Sequence, residues 1–446
     1  MLTRHILTLP NGRRVHYRRA GQGPVLLMVH QSPRSSAEYS ALMERWGAHF
    51  TCIAPDTPGF GQSDPLRGEP EIGDFADALV EFLDALGVTH CPAYGFHSGG
   101  IILMNALKRY PDRFACLAIG GYAVWTAEEM ALFGEAYLPP FHPQPYGEHL
   151  TWLWNRMLEQ SWFFPWFDVR DAARLSVVHA DAARVHQAVV EMLDAGNAYR
   201  AGYGAVLRAS RDIPPAEARV PPVLITAYDG DPLQAHIDRL GGMPAGWEAR
   251  KLATAAQHQA QSLAFLREHG GNAPCPVLAR DEREGWLEIG GGLLHWRGEQ
   301  GAERLVLHGP AAELAEPGAG EAAIDAPGHG LSDRSEDIGG TVREALAQLG
   351  ARELHAPAPP PGDPALLYPD LTPDRFGAHL LRAWSAARAE TLFRPWYRAD
   401  KDHAVPINPQ AVEPESIARR ARARLRAGDA AIAYHHYLQQ RQGEGR

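Results

Sequence analysis

The chain has 446 residues, which is long enough for two domains and too long for one ordinary hydrophobic core. Its 45% hydrophobic and 22% charged residues are typical of a globular protein, and the formal net charge of −10 argues against nucleic acid or an anionic membrane as a partner. No segment has the apolar length of a membrane helix or a signal peptide, so we expect a cytoplasmic protein. The four cysteines, which lack close pairing or metal-ligand spacing, are interpreted as reduced thiols: Cys52, Cys91, Cys116 and Cys275.

The first part of the chain alternates strand and helix patterns. Short apolar runs predict strands, and apolar positions at helical spacing over residues 74–86 predict a helix. This alternation predicts an α/β fold with a mostly parallel sheet and helices on both faces. The predicted strands are residues 15–17, 25–29, 50–54, 90–94, 114–119 and 223–227.

Residues 122–212 interrupt the sheet pattern with a helical segment that is rich in aromatic residues. An insertion at this point is a cap over the strand ends. Aromatic residues at helical spacing usually form a core, so we expect most of them to pack the cap and a few to line a pocket. These aromatic residues are Trp125, Trp152, Trp154, Trp162, Phe163, Phe164, Trp166 and Phe167.

The motif Gly95-Phe96-His97-Ser98-Gly99-Gly100 has the layout of a nucleophile elbow, in which a strand turns sharply into a helix. The turn needs small residues two places before and two places after its apex, because the strand and helix backbones nearly collide there. Gly95 and Gly99 fill these places. His97 therefore stands at the apex, where serine, cysteine or aspartate is usual, and Ser98 comes one position too late.

An acid and a histidine follow the cap in the order that this scaffold requires. Asp231, which precedes Pro232 at the start of a loop, matches the acid position best, and Asp229 is the alternative. His258 lies in the next strand-to-helix loop, where its other interpretation is an ordinary surface histidine. With His97, these residues predict a His-Asp-His site, in which Asp231 or Asp229 is expected to orient His258.

Two segments are candidates for the oxyanion hole and the pocket. Ser98 supplies the N–H that follows the apex, and the loop His30-Gln31-Ser32-Pro33 is expected to supply the second. Gln31, where a small residue is usual, either adds a side-chain donor or stiffens the loop. Arg34 either binds a substrate carboxylate or is solvated.

Several segments of the first half recur in the second half. The loop Asp56-Thr57-Pro58-Gly59-Phe60-Gly61-Gln62-Ser63-Asp64 returns as Asp325-Ala326-Pro327-Gly328-His329-Gly330-Leu331-Ser332-Asp333. The cap returns as well, in the pairs Gly147 and Gly377, His149 and His379, Leu150 and Leu380, Trp154 and Trp384, Pro165 and Pro395, and Trp166 and Trp396.

The spacing of the repeat indicates what the second copy lacks. Asp64 and Asp333 are 269 residues apart, whereas Gly147 and Gly377 are 230 apart, so the second copy is about 39 residues shorter between these points. In the first copy this interval contains the elbow. In the second copy the proline-rich residues 356–363 predict neither strand nor helix. We expect this truncated domain to pack on the first domain or on a second chain.

Taken together, the ordered motifs resemble the α/β-hydrolase fold superfamily. The elbow and the loop His-Gln-Ser-Pro-Arg-Ser-Ser look like a subgroup whose apex carries histidine followed by Ser or Thr. The resemblance implies an α/β-hydrolase domain over residues 1–275, with its cap at about 122–212. It also implies a truncated, catalytically incomplete copy with its own helical cap over residues 280–446.

The exchange of the apex residue predicts acid–base chemistry. His97 and His258 are expected to face one another beneath the cap, with reference pKa values of about 6.5. Such a pair suits a hydrolase or a C–C or C–O lyase that acts on a small carbonyl- or ester-bearing metabolite, without cofactor or metal. The alternatives are a catalytically silent ligand-binding protein and a serine esterase that uses Ser98. We expect a small-molecule substrate as partner, no nucleic acid or membrane, and possible homo-oligomerisation through the second domain.

Overall fold

The computed structural model describes residues 1–134, 136–209, 211–276 and 281–444, and within them the strands form a large sheet of eight strands and a small sheet of five. The chain divides into two compact units. Unit 1 comprises the described residues within 1–141, 156–179 and 188–276. Unit 2 comprises the described residues within 142–155, 180–187 and 281–444. Unit 2 thus includes two segments that the sequence analysis assigned to the first domain's cap.

The large sheet of unit 1 has the strand order β1-β2-β4-β3-β5-β6-β7-β8. The pairs β1/β2 and β2/β4 are antiparallel, and all other neighbours are parallel. The strands are β1 (Thr3–Thr8), β2 (Arg14–Ala20), β3 (Val25–Val29), β4 (Thr51–Pro55), β5 (Cys91–Phe96), β6 (Phe114–Gly120), β7 (Val223–Tyr228) and β8 (Trp247–Leu252).

Helices cover both faces of the large sheet, each over its own apolar cluster. Side chains of α2 and α3 pack on one face, whereas α1 and α8 pack on the other. The first eight helices of the chain are α1 (Ser40–Trp46), α2 (Ile72–Ala85), α3 (Ser98–Arg109), α4 (Ala127–Phe133), α5 (Glu148–Glu159), α6 (Ala182–Ala195), α7 (Tyr199–Arg208) and α8 (Ala255–His269).

Each predicted strand end lies within three residues of the observed end, and the predicted helix over 74–86 corresponds to α2. The helices α4 to α7 lie between β6 and β7, in the segment that the sequence analysis interprets as a cap. The edge strands β1 and β8 were not predicted. Their side chains are largely polar and only partly buried, because an edge strand has one neighbour and needs no continuous apolar run.

The small sheet of unit 2 repeats the arrangement of the first five strands of the large sheet. Its order β13-β11-β12-β10-β9 corresponds, strand for strand, to β5-β3-β4-β2-β1, and every pair has the same direction as its counterpart. Its strands are β9 (Glu284–Ile289), β10 (Gly292–Gly298), β11 (Arg304–Leu307), β12 (Glu321–Ile324) and β13 (Glu353–His355). The later helices are α9 (Ile338–Gln348), α10 (Pro364–Leu367), α11 (Ala378–Glu390), α12 (Pro414–Ala427) and α13 (Ala430–Glu444).

The repeated loops are held by the same buried hydrogen bonds in both units. His16 Nδ1 lies 2.7 Å from a carboxylate oxygen of Asp56, and His295 Nδ1 lies 2.8 Å from the corresponding oxygen of Asp325. The ring of His30 accepts the N–H of Thr57, as the ring of His308 accepts that of Ala326. In these loops the two units share side-chain chemistry as well as strand order.

Within unit 2, the repeated cap segments pack against each other in a reciprocal manner. The indole of Trp154, on the part of α5 that belongs to unit 2, donates to the carbonyl of Arg375 at 3.3 Å. The indole of Trp384, on α11, donates to that of Pro145 at 3.3 Å. A Cβ on Gly377 would lie 2.5 Å from Trp154, and one on Gly147 would lie 3.0 Å from Trp384. This packing explains why residues 142–155 belong to unit 2.

The interval that differs between the copies begins after the fifth strand. In unit 1, β5 leads directly into the elbow and α3, whereas in unit 2 the three-residue β13 is followed by residues 356–363 without strand or helix. Among the described residues, no helix combines the length and apolar character needed to cross a membrane. The four cysteines are free thiols.

Candidate active site

His97 occupies the apex of the turn between β5 and α3. Its backbone has φ 48° and ψ −115°, a conformation that is unfavourable for a residue with a Cβ. A Cβ on Gly99 would come within 2.0 Å of the Val29 carbonyl oxygen, and one on Gly95 within 2.8 Å of the Gly99 backbone. The two glycines are therefore required by the close approach of backbones, as the spacing of the motif predicts.

The side chain of His97 is hydrogen-bonded to Asp231 at the end of β7. His97 Nε2 lies 3.0 Å from Asp231 Oδ1, which also accepts the N–H of Leu233 at 2.8 Å. Burial alone would raise the pKa of Asp231, but the nearby imidazole groups of His97 and His258 and the hydrogen bonds from His97 and Leu233 outweigh this effect and hold the pKa below its ordinary value. An ionised carboxylate only accepts hydrogen bonds, so the proton of neutral His97 resides on Nε2 and Nδ1 is the proton acceptor.

The geometry distinguishes the two candidate acids. Asp231 is fully buried beside His97, and its Oδ2 has no hydrogen-bond partner among the described residues. Asp229 is exposed and accepts a hydrogen bond from the side chain of Gln234 at 2.6 Å. Asp231 is therefore the acid that contacts the apex residue.

His258 is buried, and it does not form a direct hydrogen bond with His97. Its Nε2 is paired with the Tyr94 hydroxyl at 2.8 Å and its Nδ1 with the Thr226 hydroxyl at 2.6 Å. The ring of Phe96 stacks on His97 and also contacts His258. The prediction that Asp231 or Asp229 orients His258 is wrong, because both ring nitrogens are held by the two hydroxyl groups. Burial lowers the pKa of His258 to about 4, so the ring is neutral.

Ser98 lies on the first turn of α3 with only 4% of its surface exposed. Its hydroxyl oxygen accepts the backbone N–H of Ser32 at 2.5 Å. Together with His97, the two serines line a cavity of 30 Å³, which has room for about one water molecule. Most of the other lining side chains are apolar or aromatic, and they include Trp125 and Phe164 from the cap.

Gln31 does not line this cavity, because its donors are used elsewhere. Both its backbone N–H and its side-chain amide donate to the carboxylate of Glu38, at 2.9 and 3.1 Å. Burial raises the pKa of Glu38 to about 7, against the opposing effects of Arg34 and Gln31. The contacts therefore match the second of the two interpretations of Gln31, in which the residue stiffens its loop.

Arg34 is also absent from the cavity lining. Its guanidinium group donates to Glu191 on α6, and the second carboxylate oxygen of Glu191 accepts the hydroxyl of Ser35 at 2.8 Å. Arg34 thus pairs with a carboxylate of the cap. Glu38 and Glu191 lie far from the motif in sequence, and the sequence analysis did not identify them.

Gly121 is a further residue of the site that the sequence analysis did not single out. It has φ +60°, and a Cβ there would lie 2.3 Å from the His97 ring and 2.9 Å from Asp231 Oδ2. The pair Gly120-Gly121 at the end of β6 is the sequence feature that could have identified this position, because adjacent glycines at a strand end indicate the close approach of another group. Because Gly121 has no side chain, the His97 ring and the Asp231 carboxylate have the space to form their hydrogen bond.

We find no metal-binding arrangement in the part of the chain that the structure describes. Within residues 1–134, 136–209, 211–276 and 281–444, no group of three or more histidine, cysteine, aspartate or glutamate residues is placed to hold a metal ion.

Comparison with known proteins identifies the scaffold of unit 1. Residues 24–136 match the model of the α/β hydrolase fold family. This segment contains β3 to β6 and the elbow with His97. With the strand order of the large sheet, the match gives unit 1 the α/β-hydrolase fold.

Curated relatives match only part of the chain. Haloalkane dehalogenase 2 of Mycobacterium tuberculosis is 32% identical over 120 residues, which are 27% of this chain and 42% of the relative. An (E)-2-((N-methylformamido)methylene)succinate hydrolase of Acinetobacter baylyi is 27% identical over 113 residues, 25% of this chain and 43% of the relative. The chain thus spans less than half the length of either relative.

Solved structures align over a larger share of the chain at low identity. Epoxide hydrolase A of Mycobacterium thermoresistibile is 16% identical, with a TM-score of 0.45. The alignment covers 61% of this chain and 100% of that structure.

Proposed function

We propose that unit 1 is a hydrolase in which His97 is the general base and Asp231 its orienting acid. The observation that carries this proposal is the 3.0 Å contact between His97 Nε2 and Asp231 Oδ1 at the elbow apex. In a catalytic triad the acid orients a separate histidine, which in turn activates the apex residue. Here the acid contacts the apex residue directly, so one imidazole combines the position of the nucleophile with the chemistry of the base.

The reaction follows from this arrangement. His97 Nδ1 removes a proton from water as the water oxygen attacks the carbonyl carbon of a small ester or lactone, and the tetrahedral intermediate forms without a covalent enzyme adduct. The backbone N–H of Ser98, at the N-terminus of α3, stabilises the oxyanion. The imidazolium of His97 then returns the proton to the leaving oxygen as the carbon–oxygen bond breaks.

The lining of the cavity defines the class of substrate. Trp125, Phe164 and other apolar side chains line it, and the cavity has a volume of only 30 Å³. We infer that the substrate has a small acyl group and that the cap opens to admit it. One curated relative that matches part of the chain is itself named as a hydrolase, which agrees with this class of reaction.

The contacts of Ser98 favour His97 over an ordinary serine mechanism. Ser98 is buried, its hydroxyl is held by Ser32, and the nitrogens of His258 are engaged by Tyr94 and Thr226. A serine nucleophile requires a base within hydrogen-bond reach of its hydroxyl. His258 is accordingly proposed to position Phe96 against His97 rather than to exchange protons with the substrate.

We further propose that unit 2 is a decayed duplicate of unit 1 without catalytic activity. Equal strand order, equal strand directions and the matching His–Asp hydrogen bonds support common descent. The small sheet ends where β6 to β8 follow in unit 1, and the interval after β13 lacks an elbow. Within its described residues, unit 2 therefore has no counterpart of His97 or Asp231.

A matched pair of carboxylate variants tests the hydrolase proposal. Asp231→Asn removes the carboxylate that fixes the His97 tautomer, whereas Asp229→Asn changes an exposed residue of the same loop. With 4-nitrophenyl acetate, 4-nitrophenyl butyrate and a γ-lactone as substrates, we expect the first variant to lose about 100-fold or more of kcat and the second to retain the wild-type rate. Equal rates for both variants, or no turnover of any substrate by the native protein, would contradict the proposal.

A further inference from the structure

Unit 2 contains an open cleft of 580 Å³, a volume in the range of small-molecule binding sites. Its lining includes residues 309–313, which follow β11, and Pro360 and Pro361, which follow β13. The cleft therefore lies at the carboxyl ends of two adjacent parallel strands, where open α/β sheets bind ligands. In unit 1 the elbow and α3 follow the strand that corresponds to β13.

The charged groups of the cleft leave an excess of positive charge. Of its two carboxylates, Glu390 is paired with Arg424 at 2.7 Å and Glu313 with Arg419 at 3.6 Å. The side chains of Arg394 and Arg420, which also line the cleft, have no hydrogen-bond or ion-pair partner in the part of the chain that the structure describes. Although the chain has a net charge of −10, these two guanidinium groups are therefore available to an anionic ligand.

The walls between these charges are aromatic and rigid. Phe393 and Trp396 line the cleft, and the indole N–H of Trp396 donates to the carbonyl of Leu367 at 3.0 Å, which fixes the plane of its ring. The prolines have fixed backbone angles. Side chains that are held in place lose little entropy when a ligand binds, so the wall is organised in advance.

The loop after β11 also has features of a ligand-binding loop. Ala311, which lines the cleft, has φ +54°, a left-handed conformation that is rare for a residue with a Cβ and concentrates at ligand sites. Gly309 stands where unit 1 has Gln31, and a Cβ on it would meet no atom within 4 Å. The cleft is thus open at the position where the corresponding residue of unit 1 carries a long side chain.

We propose that this cleft of unit 2 binds a small aromatic carboxylate, whose anionic group pairs with Arg394 and Arg420 and whose ring packs on Trp396. Guanidinium groups bind carboxylates through paired hydrogen bonds, and an aromatic and proline-rich wall accommodates a planar apolar body. The residues that line this cleft all belong to unit 2, and none of them belongs to the proposed hydrolase site of unit 1.

The test is a ¹⁹F NMR titration of the full chain with 4-fluorobenzoate. We expect saturable binding of this probe and at least tenfold weaker binding of the neutral 4-fluorobenzyl alcohol. The double variant Arg394→Gln/Arg420→Gln is expected to bind 4-fluorobenzoate at least tenfold more weakly, whereas the control Arg343→Gln/Arg352→Gln, which removes two exposed arginines outside the cleft, keeps the wild-type affinity.

Two further variants assign the binding to the cleft. Gly309→Trp fills open space next to the proposed site and is expected to abolish binding without a loss of thermal stability. His97→Ala is expected to leave binding unchanged, even if the hydrolase proposal fails. Unchanged affinity in the Arg394→Gln/Arg420→Gln variant, loss of binding in His97→Ala, or preference for 4-fluorophenyl phosphate over 4-fluorobenzoate would overturn the proposal.

Discussion

Units 1 and 2 share a framework and differ in the segment after their fifth strand. Both hold a buried His–Asp pair beneath a Gly-x-Gly loop, at 2.7 Å for His16 with Asp56 and at 2.8 Å for His295 with Asp325. Unit 1 continues into the elbow and encloses a cavity of 30 Å³ beside His97, whereas unit 2 continues into prolines and has a cleft of 580 Å³. The framework is therefore separable from the proposed chemistry, which would depend on one short segment and on the acid after the cap.

The largest effect is expected from closing the space that the apex histidine occupies. Gly121→Ala introduces a Cβ 2.3 Å from the ring of His97, so the contact with Asp231 should break and ester hydrolysis should fall by about 100-fold or more. Gly134→Ala is the matched control, because Gly134 also has a positive φ but its nearest neighbour would be 3.6 Å away. If circular dichroism shows that the Gly121→Ala variant is folded and the variant keeps full activity, the proposed role of the His97–Asp231 contact in unit 1 is wrong.

The shared framework itself is tested by removing the aspartate from each copy. Asp56 accepts hydrogen bonds from His16, Gln62 and both the N–H and hydroxyl of Ser36, whereas Asp325 accepts from His295 and Leu331. Asp56→Ala leaves more buried donors unpaired, so we expect it to lower the free energy of unfolding by about 3–5 kcal/mol and Asp325→Ala by about 2 kcal/mol. Urea unfolding of the full chain measures both values, and a larger cost for Asp325 would contradict the assignment of the stronger network to unit 1.

His258 should affect stability as a function of pH, because burial lowers its pKa to about 4 from an ordinary value of 6.5. Between these values the unfolded chain binds a proton that the folded chain does not, so the stability contributed by neutral His258 is lost as the pH falls from 6.5 towards 4. The stability advantage of the native protein over His258→Gln should shrink by about 3 kcal/mol across this window. A pH-independent difference would mean that His258 is not buried in its neutral form.

The smallest effect concerns the reciprocal packing of the two tryptophans in unit 2. Gly377→Ala places a Cβ 2.5 Å from Trp154, and Gly147→Ala places one 3.0 Å from Trp384. Since the first contact is too close for any side chain, we expect Gly377→Ala to cost about 1–3 kcal/mol and Gly147→Ala less. Differential scanning calorimetry measures both, and equal melting temperatures for the two variants would show that the two contacts do not differ as described.

The sequence predicted those parts of the molecule that local constraints define. Gly95 and Gly99 identify the elbow because their spacing alone places His97 at the apex, and apolar runs identify the buried strands. The order of the motifs along the chain also pointed to Asp231, whose carboxylate is hydrogen-bonded to His97 in the structure.

Tertiary contacts that join distant segments were beyond the reach of sequence patterns. His258 follows the expected strand, yet Tyr94 and Thr226 hold both of its nitrogens, and neither hydroxyl belongs to a recognisable motif. Likewise, the partner of Arg34 is Glu191, which lies 157 residues further along the chain. The reciprocal packing of Trp154 and Trp384 was not predicted either, because a repeat shows that two segments are similar and not that they touch.

The most direct test of the account compares His97→Ala with Ser98→Ala in the hydrolysis of 4-nitrophenyl acetate. Removal of the imidazole should lower kcat by about 100-fold or more, because the general base is lost. Removal of the Ser98 hydroxyl should cost less than about tenfold, since the backbone N–H of Ser98 remains and that of Ser32 becomes available to the oxyanion. Full activity of His97→Ala, or inactivation of the native enzyme through labelling of Ser98 by a fluorophosphonate, would contradict the account.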